Sequence, residues 1–142
     1  MVLDGPCPDV RASAPWDPRG ELERWSSSTG IVVEVWALPA GPLPGGVTEL
    51  VRATILDVLE GLAGDGSVRC VSVALTANAR GLRLTVSGDG DGLLPERLAD
   101  RLRVRRAGFA ALGGGLSANA VPGGGVTVSA ALPPCGSAPI SG

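Results

Sequence analysis

Leu82-Arg-Leu-Thr-Val-Ser-Gly-Asp-Gly-Asp-Gly-Leu93 is the stretch on which the reading of the fold turns. Leu82, Leu84 and Val86 alternate with Arg83, Thr85 and Ser87, the period of a strand with one buried face. The strand runs into a turn in which Gly88, Gly90 and Gly92 alternate with Asp89 and Asp91. Glycine admits positive φ and carries no side chain, so such a turn lets the backbone approach a ligand closely. The plainer reading is that Asp89 and Asp91 are turn formers in solvent.

Working outward, Val68 to Leu75 also alternates, with Val71, Val73 and Leu75 on one side. Asn78-Ala-Arg-Gly81 separates it from the quoted strand by a short turn, which predicts an antiparallel hairpin. Upstream, Leu50, Val51, Ile55, Val58, Leu59 and Leu62 form an apolar stripe at helical spacing. Thr48 or a neighbour should cap that helix, and it should end near Gly61–Gly66. Pro39 to Gly46 reads as a loop and Ile31 to Leu38 as a strand with Ile31, Val33 and Val35 on one face. A short helix precedes it: Asp17 caps it, Pro18 opens it, Leu22 and Trp25 share a face, and Thr29-Gly30 stops it. Downstream, Pro95 to Leu112 reads as one helix with Leu94, Leu98, Leu102, Phe109 and Leu112 on its apolar side. Gly113-Gly-Gly115 terminates it. A short strand, Leu116 to Ala120, then turns through Val121–Gly125 into a last strand, Val126 to Leu132.

This order predicts an α+β fold: a two-layer α/β sandwich whose mixed, mostly antiparallel sheet is covered on one face by helices. The expected organisation is a flexible N-terminal arm over 1–16, one domain over 17–133 and a flexible tail over 134–142. At 142 residues and 44% hydrophobic content, one domain with a real core is the natural reading.

Composition removes whole classes of chemistry. The twelve basic residues are all arginine, and His and Tyr are absent, so no histidine base, lysine Schiff base or phosphorylatable histidine can come from this chain. A net charge of −2 gives no general attraction to nucleic acid. Cys7, Cys70 and Cys135 match no metal or CxxC spacing; Cys70, in a strand, reads as a small buried hydrophobe. The start lacks a signal-peptide pattern and no segment approaches the ~20 apolar residues of a membrane span, so a cytoplasmic protein is expected. Trp16, Trp25 and Trp36 cluster early, as core or interface residues.

Several joints resemble a known family. Gly30-Ile-Val-Val-Glu-Val-Trp36, Pro42-Leu-Pro-Gly-Gly-Val-Thr-Glu-Leu50, Ala110-Ala-Leu-Gly-Gly-Gly-Leu-Ser117 and Pro122-Gly-Gly-Gly-Val-Thr-Val128 occur in the order and at the spacing of the ATP-binding domain of sensor histidine kinases, of the GHKL superfamily. The resemblance is greatest to kinases of actinobacterial type. It implies the Bergerat fold, ATP with Mg²⁺ as cofactor and a place in two-component signalling. The family's nucleotide helix carries a Glu and, four residues on, a metal-ligating Asn; the matching positions here are Asp57 and Gly61. Asp57 keeps a carboxylate and Gly61 has no ligand atom to offer. A one-residue shift would offer Glu60 instead.

The family's Asp-x-Gly-x-Gly turn matches Gly88-Asp-Gly-Asp-Gly92, with both glycines kept and Gly88 in place of the adenine-reading Asp. Only a local shift would bring Asp89 to that role. The second glycine box of the lid is missing, and Arg97, Arg101, Arg103, Arg105 and Arg106 stand there instead. They read either as a solvated helix face or, since Arg presents a bidentate fork, as a phosphate or carboxylate site. Arg97, Arg101 and Arg105 are spaced by four. The phosphoacceptor helices are not in this chain.

The candidate nucleotide or ligand pocket is therefore Asp57, Gly61, Gly88, Asp89, Gly90, Gly92, Arg97 and Arg101, with no metal ligand set and Asp57 catalytic only if the domain is active. The reading is a degenerate ATPase domain, weak or lacking in ATP binding, that acts on a protein partner in signalling or regulation. Two alternatives stay open: an active, divergent kinase-like domain working in trans, and a fold recruited to a small molecule in the old cleft.

Overall fold

Strand pairing follows from the alternating segments. In the computed structural model, which describes residues 17–39, 43, 45–65, 68–78, 80–90, 95–120 and 125–134, β2 (Cys70–Asn78) and β3 (Gly81–Gly88) form the predicted antiparallel hairpin, with Val73 opposite Val86 and Leu75 opposite Leu84. On the far side of β3 lies β5 (Val126–Leu132), also antiparallel, and β4 (Gly115–Ala120) closes that flank. β1 (Val32–Ala37) runs parallel to β2 on the other flank. Parallel neighbours need a crossover, here supplied by α2 (Gly45–Asp65). The sheet order is β1-β2-β3-β5-β4.

One face of this sheet is buried. Val71, Val73 and Leu75, Leu82, Leu84 and Val86, and Val126, Val128 and Ala130 all point to it. Against them α2 sets Val51, Ile55, Val58, Leu59 and Leu62, each at most 2% exposed. Each such aliphatic side chain contributes about 1.5–3 kcal/mol relative to an exposed one. The opposite face carries Ser72, Thr85, Ser87, Thr127 and Ser129, and among the described residues no helix lies over it. The molecule is thus an α+β two-layer sandwich with a mixed sheet.

α1 (Pro18–Thr29) is bounded as its sequence predicts. Asp17 Oδ1 accepts from Gly20 N at 3.1 Å, and Gly30, at φ 79°, donates its N–H to Ser26 O at 2.8 Å. Leu22 enters the core, and Arg52 of α2 holds Glu21 at 3.1 Å, which fixes α1 beside α2. α2 begins at Gly45, three residues before its expected cap, and Thr48 instead donates its hydroxyl to Leu43 O at 3.1 Å.

The predicted single helix over 95–112 is two: α3 (Pro95–Arg101) and α4 (Arg103–Ala111), separated at Leu102. Leu102 N–H is shared between Leu98 O and Ala99 O, at 3.0 and 3.2 Å, a tightening of the turn that ends α3. Leu98, Leu102 and Phe109 are buried, whereas Leu112 is 44% exposed because it lies past the end of α4, where the backbone has left helical geometry.

Cys70 corrects a second expectation. It is half-buried rather than a core residue, since alternation places it on the face opposite Val71. Trp25 packs against the core and Trp36 is 74% exposed. The arm over 1–16 with Cys7 and Trp16, the tail with Cys135, and Asp91, Gly92 and Leu94 lie outside the described residues.

Candidate functional site

The helix stripe that buries Val58, Leu59 and Leu62 leaves Asp57, Glu60 and Gly61 along its edge, looking toward α3 and α4. What meets them is the arginine run. Arg105 Nε donates to Asp57 Oδ2 at 2.7 Å, with the two side chains only 33% and 27% exposed. Arg101 makes two contacts with α2: its Nε donates to Asp57 O at 3.1 Å and its Nη2 to Glu60 Oε1 at 2.9 Å. Arg103 pairs locally with Asp100. Arg97 is exposed and makes no ion pair among the described residues. Arg101 at the end of α3 and Arg105 in α4 thus meet at Asp57 from two helices, and Arg97, one turn earlier on α3, stays outside.

Gly61 is in contact with the same helices. A Cβ at this position would lie 2.8 Å from Leu98 Cδ1 and 3.3 Å from Arg101 Cδ. The lack of a side chain is what lets α3 seat on α2. Gly88, at the end of β3, is buried in the same way: a Cβ there would lie 2.8 Å from Leu62 Cδ2 and 3.2 Å from its Cδ1. Gly90 is also buried.

Asp89 turns elsewhere. Its Oδ1 accepts from Arg69 N at 2.8 Å and from Cys70 N at 3.1 Å, so it caps the start of β2. These two backbone hydrogen bonds stabilise the charged form and hold its carboxyl below the usual aspartate range. Its own N–H donates to Cys70 O at 3.3 Å, tying the end of β3 to the start of β2. The Cys70 thiol is pushed up, first by partial burial and then by the negative charges of Glu34 and Asp89.

The donor set does not fit a magnesium ion. Asp57 is the one carboxylate at the matching positions, and Arg105 occupies its Oδ2; Gly61 offers nothing, and Leu98 fills the space in front of it. Among the described residues no three Asp, Glu or Cys side chains converge as a metal set. Two groups at this site escaped the sequence reading. Arg105 is marked in the sequence only by its spacing of four from Arg97 and Arg101, with no sign of its partner Asp57, and nothing in the pattern separates Leu62 and Leu98, which pack against Gly88 and Gly61, from ordinary core leucines.

Comparison with known proteins gives the fold a context. No protein-family model matches the chain, and no curated protein matches it. Among solved structures, the histidine kinase domain of the Erythrobacter litoralis EL346 blue-light-activated histidine kinase superposes with a TM-score of 0.59 at 22% identity, over 80% of this chain and 58% of that one. Full-length ShkA, solved in complex with AMPPNP, superposes with a TM-score of 0.54 at 19% identity, over 89% of this chain and 32% of that one. The chain therefore spans less than two thirds of the first neighbour's length and about one third of the second's. Its mixed five-stranded sheet with helices on one face is the Bergerat-type sandwich of histidine kinase ATPase domains.

Proposed function

We propose that this chain is a degenerate histidine-kinase-like domain that binds ATP weakly or not at all and works as a binding or regulatory protein in signalling. The observation that carries the reading is the pair of glycines. By the resemblance, Gly61 and Gly88 match the family's metal-ligating Asn and adenine-reading Asp, and a side chain at either position would meet Leu98 or Leu62. Losing a charge-assisted contact removes about 1.5–3 kcal/mol, roughly tenfold or more in affinity. Without metal coordination, phosphoryl transfer lacks its main charge neutraliser. A neighbour of the same fold was solved with AMPPNP, so the loss is attributed to residues and not to architecture.

A chain without nucleotide chemistry acts by what it holds, and the expected target is a protein. Calorimetric titration of ATP, with and without Mg²⁺, tests the reading. No saturable heat at nucleotide concentrations up to about 100 µM is expected. Mg²⁺-dependent binding tighter than that would contradict it and favour an active domain working in trans.

A further inference from the structure

β1 is the outer strand of the sheet. Val32 N–H donates to Arg69 O at 3.0 Å, so Val32 and Glu34 turn their backbone groups toward β2. Alternation then turns the N–H and C=O of Val33 and Val35 outward, where no described strand pairs with them. Such an edge is a template for an added strand unless charged side chains, Pro, a bulge or a covering element blunt it. β1 has neither Lys nor Pro; its one charge is Glu34 and its one bulge lies at Trp36, past the Val33 and Val35 backbone groups, so a partner must answer the first and end at the second.

Two further features border that edge. On the helix side a cavity of about 350 Å³ opens between α1 and β1, lined by Leu22, Ser26, Val33 and Val35 with Arg19 and Glu23 at its polar rim. On the uncovered side Val32 is 57% and Trp36 74% exposed. The register with β2 slips between Val35 and Ala37, so Trp36 is the extra residue of a bulge and stands out from the edge. Between Val32 and Trp36 lies Glu34, exposed and with no ion pair among the described residues, its one close contact being Ser72 Oγ at 3.5 Å.

We infer that the β1 edge is a docking site for an extended segment of a partner protein, which adds to the sheet as a sixth strand. Residues directly opposite in a ladder share a face, so β1 dictates the ligand's pattern. Opposite Val33 and Val35 it carries short aliphatic side chains that enter the cavity under α1. Opposite Glu34 it carries a basic residue. Opposite Val32 and beside Trp36 it carries large apolar ones. The pattern reads apolar, aliphatic, basic, aliphatic, apolar in either chain direction. The site shares no residue with Asp57, Gly61 and their contacts, and it stands whether or not the cleft takes nucleotide.

The test titrates an end-blocked heptapeptide, Thr-Ile-Val-Arg-Val-Phe-Thr, into the full chain and follows tryptophan emission. A twin peptide has Glu in place of Arg. Saturable binding is expected, about tenfold tighter for the Arg peptide because like charges across an interface are rejected. In Glu34→Arg the preference reverses, and in Trp36→Phe the emission change is lost while binding by calorimetry persists. Amide exchange at Val33 and Val35 slows on binding. Three results would overturn the proposal: no saturation by about 1 mM peptide, equal affinity for the two peptides, or slowed exchange at Val33 and Val35 that follows protein concentration without peptide, which would make the edge a contact between two copies of the chain.

Discussion

Gly88→Asp puts a carboxylate where the proposed correspondence with histidine kinases expects the adenine-reading Asp, and on this structure it should damage the fold. Position 88 is buried, and its Cβ would lie 2.8 Å from Leu62 Cδ2, 3.2 Å from Cδ1 and 3.5 Å from Cγ. Leu62 itself is 1% exposed and has little room to withdraw. Overpacking a filled site costs about 1–3 kcal/mol. A buried polar group left without a partner costs about 1–3 kcal/mol more. Replacing glycine within a strand returns about 0.5–1 kcal/mol. The net expectation is a loss of about 3 kcal/mol, large against a total stability of about 5–15 kcal/mol. Urea denaturation reads it directly: with a slope of about 1.5 kcal/mol/M, the midpoint falls by about 2 M. Gly88→Ala carries the same Cβ contact with Leu62 but no unpartnered polar atom, so it should cost only the overpacking less the strand gain, about 1 kcal/mol. Leu62→Ala itself costs about 2–5 kcal/mol, but within that background Gly88→Asp should cost less than in the parent, because the clashing methyls are gone. An unchanged or raised midpoint for Gly88→Asp alone would refute the reasoning, since it would mean that position 88 opens onto free space.

Other perturbations address the remaining contacts. Arg105→Ala removes a half-buried ion pair to Asp57 and should cost about 1–2 kcal/mol, a fall of about 5 °C in thermal midpoint that Asp57→Ala should not deepen in the double variant. Gly61→Asn should lower the midpoint rather than raise it, although asparagine is the better helix former, because Leu98 and Arg101 occupy the space. Asp89 has a depressed folded-state value, so its contribution is present above the ordinary aspartate value of about 3.9 and is lost as pH falls through the lower folded value. Asp89→Asn should therefore flatten the acid limb of the stability curve below about pH 5 and leave its neutral limb parallel to the parent's. Cys70, raised by burial and by Glu34, should alkylate more slowly at pH 8 than free cysteine, and Glu34→Gln should speed it, read by peptide mapping.

How far the chain could be read in advance depends on whether a feature is local. The strands and α2 were legible because each has one buried face, so their apolar residues recur at period two or 3.6. Asp17, Pro18 and Gly30 mark the ends of α1 by chemistry that acts within one turn. The break at Leu102 left no such mark: Leu98 and Leu102 keep helical spacing across it. Cys70 reads as core by residue type, whereas the alternation of Val71, Val73 and Leu75 already sets it on the opposite face. Asp89 is the clearest case at the site. Its carboxylate binds the N–H groups of residues 69 and 70, which the β2–β3 pairing brings beside it from about twenty residues away. The glycines at 61 and 88 were visible as departures from the family pattern. That Leu98 and Leu62 fill the space in front of them is a packing fact between helices and sheet that no spacing encodes.

On the proposed function the chain's own side chains fill the nucleotide cleft, and one backbone spectrum can refute that. Backbone ¹⁵N–¹H resonances are recorded before and after addition of ATP with Mg²⁺ in large excess. Unchanged positions for Asp57, Gly61, Gly88, Asp89 and Gly90 are predicted. Saturable, Mg²⁺-dependent shifts that converge on these five amides would contradict it, because they would place a nucleotide where Leu62, Leu98, Arg101 and Arg105 now sit.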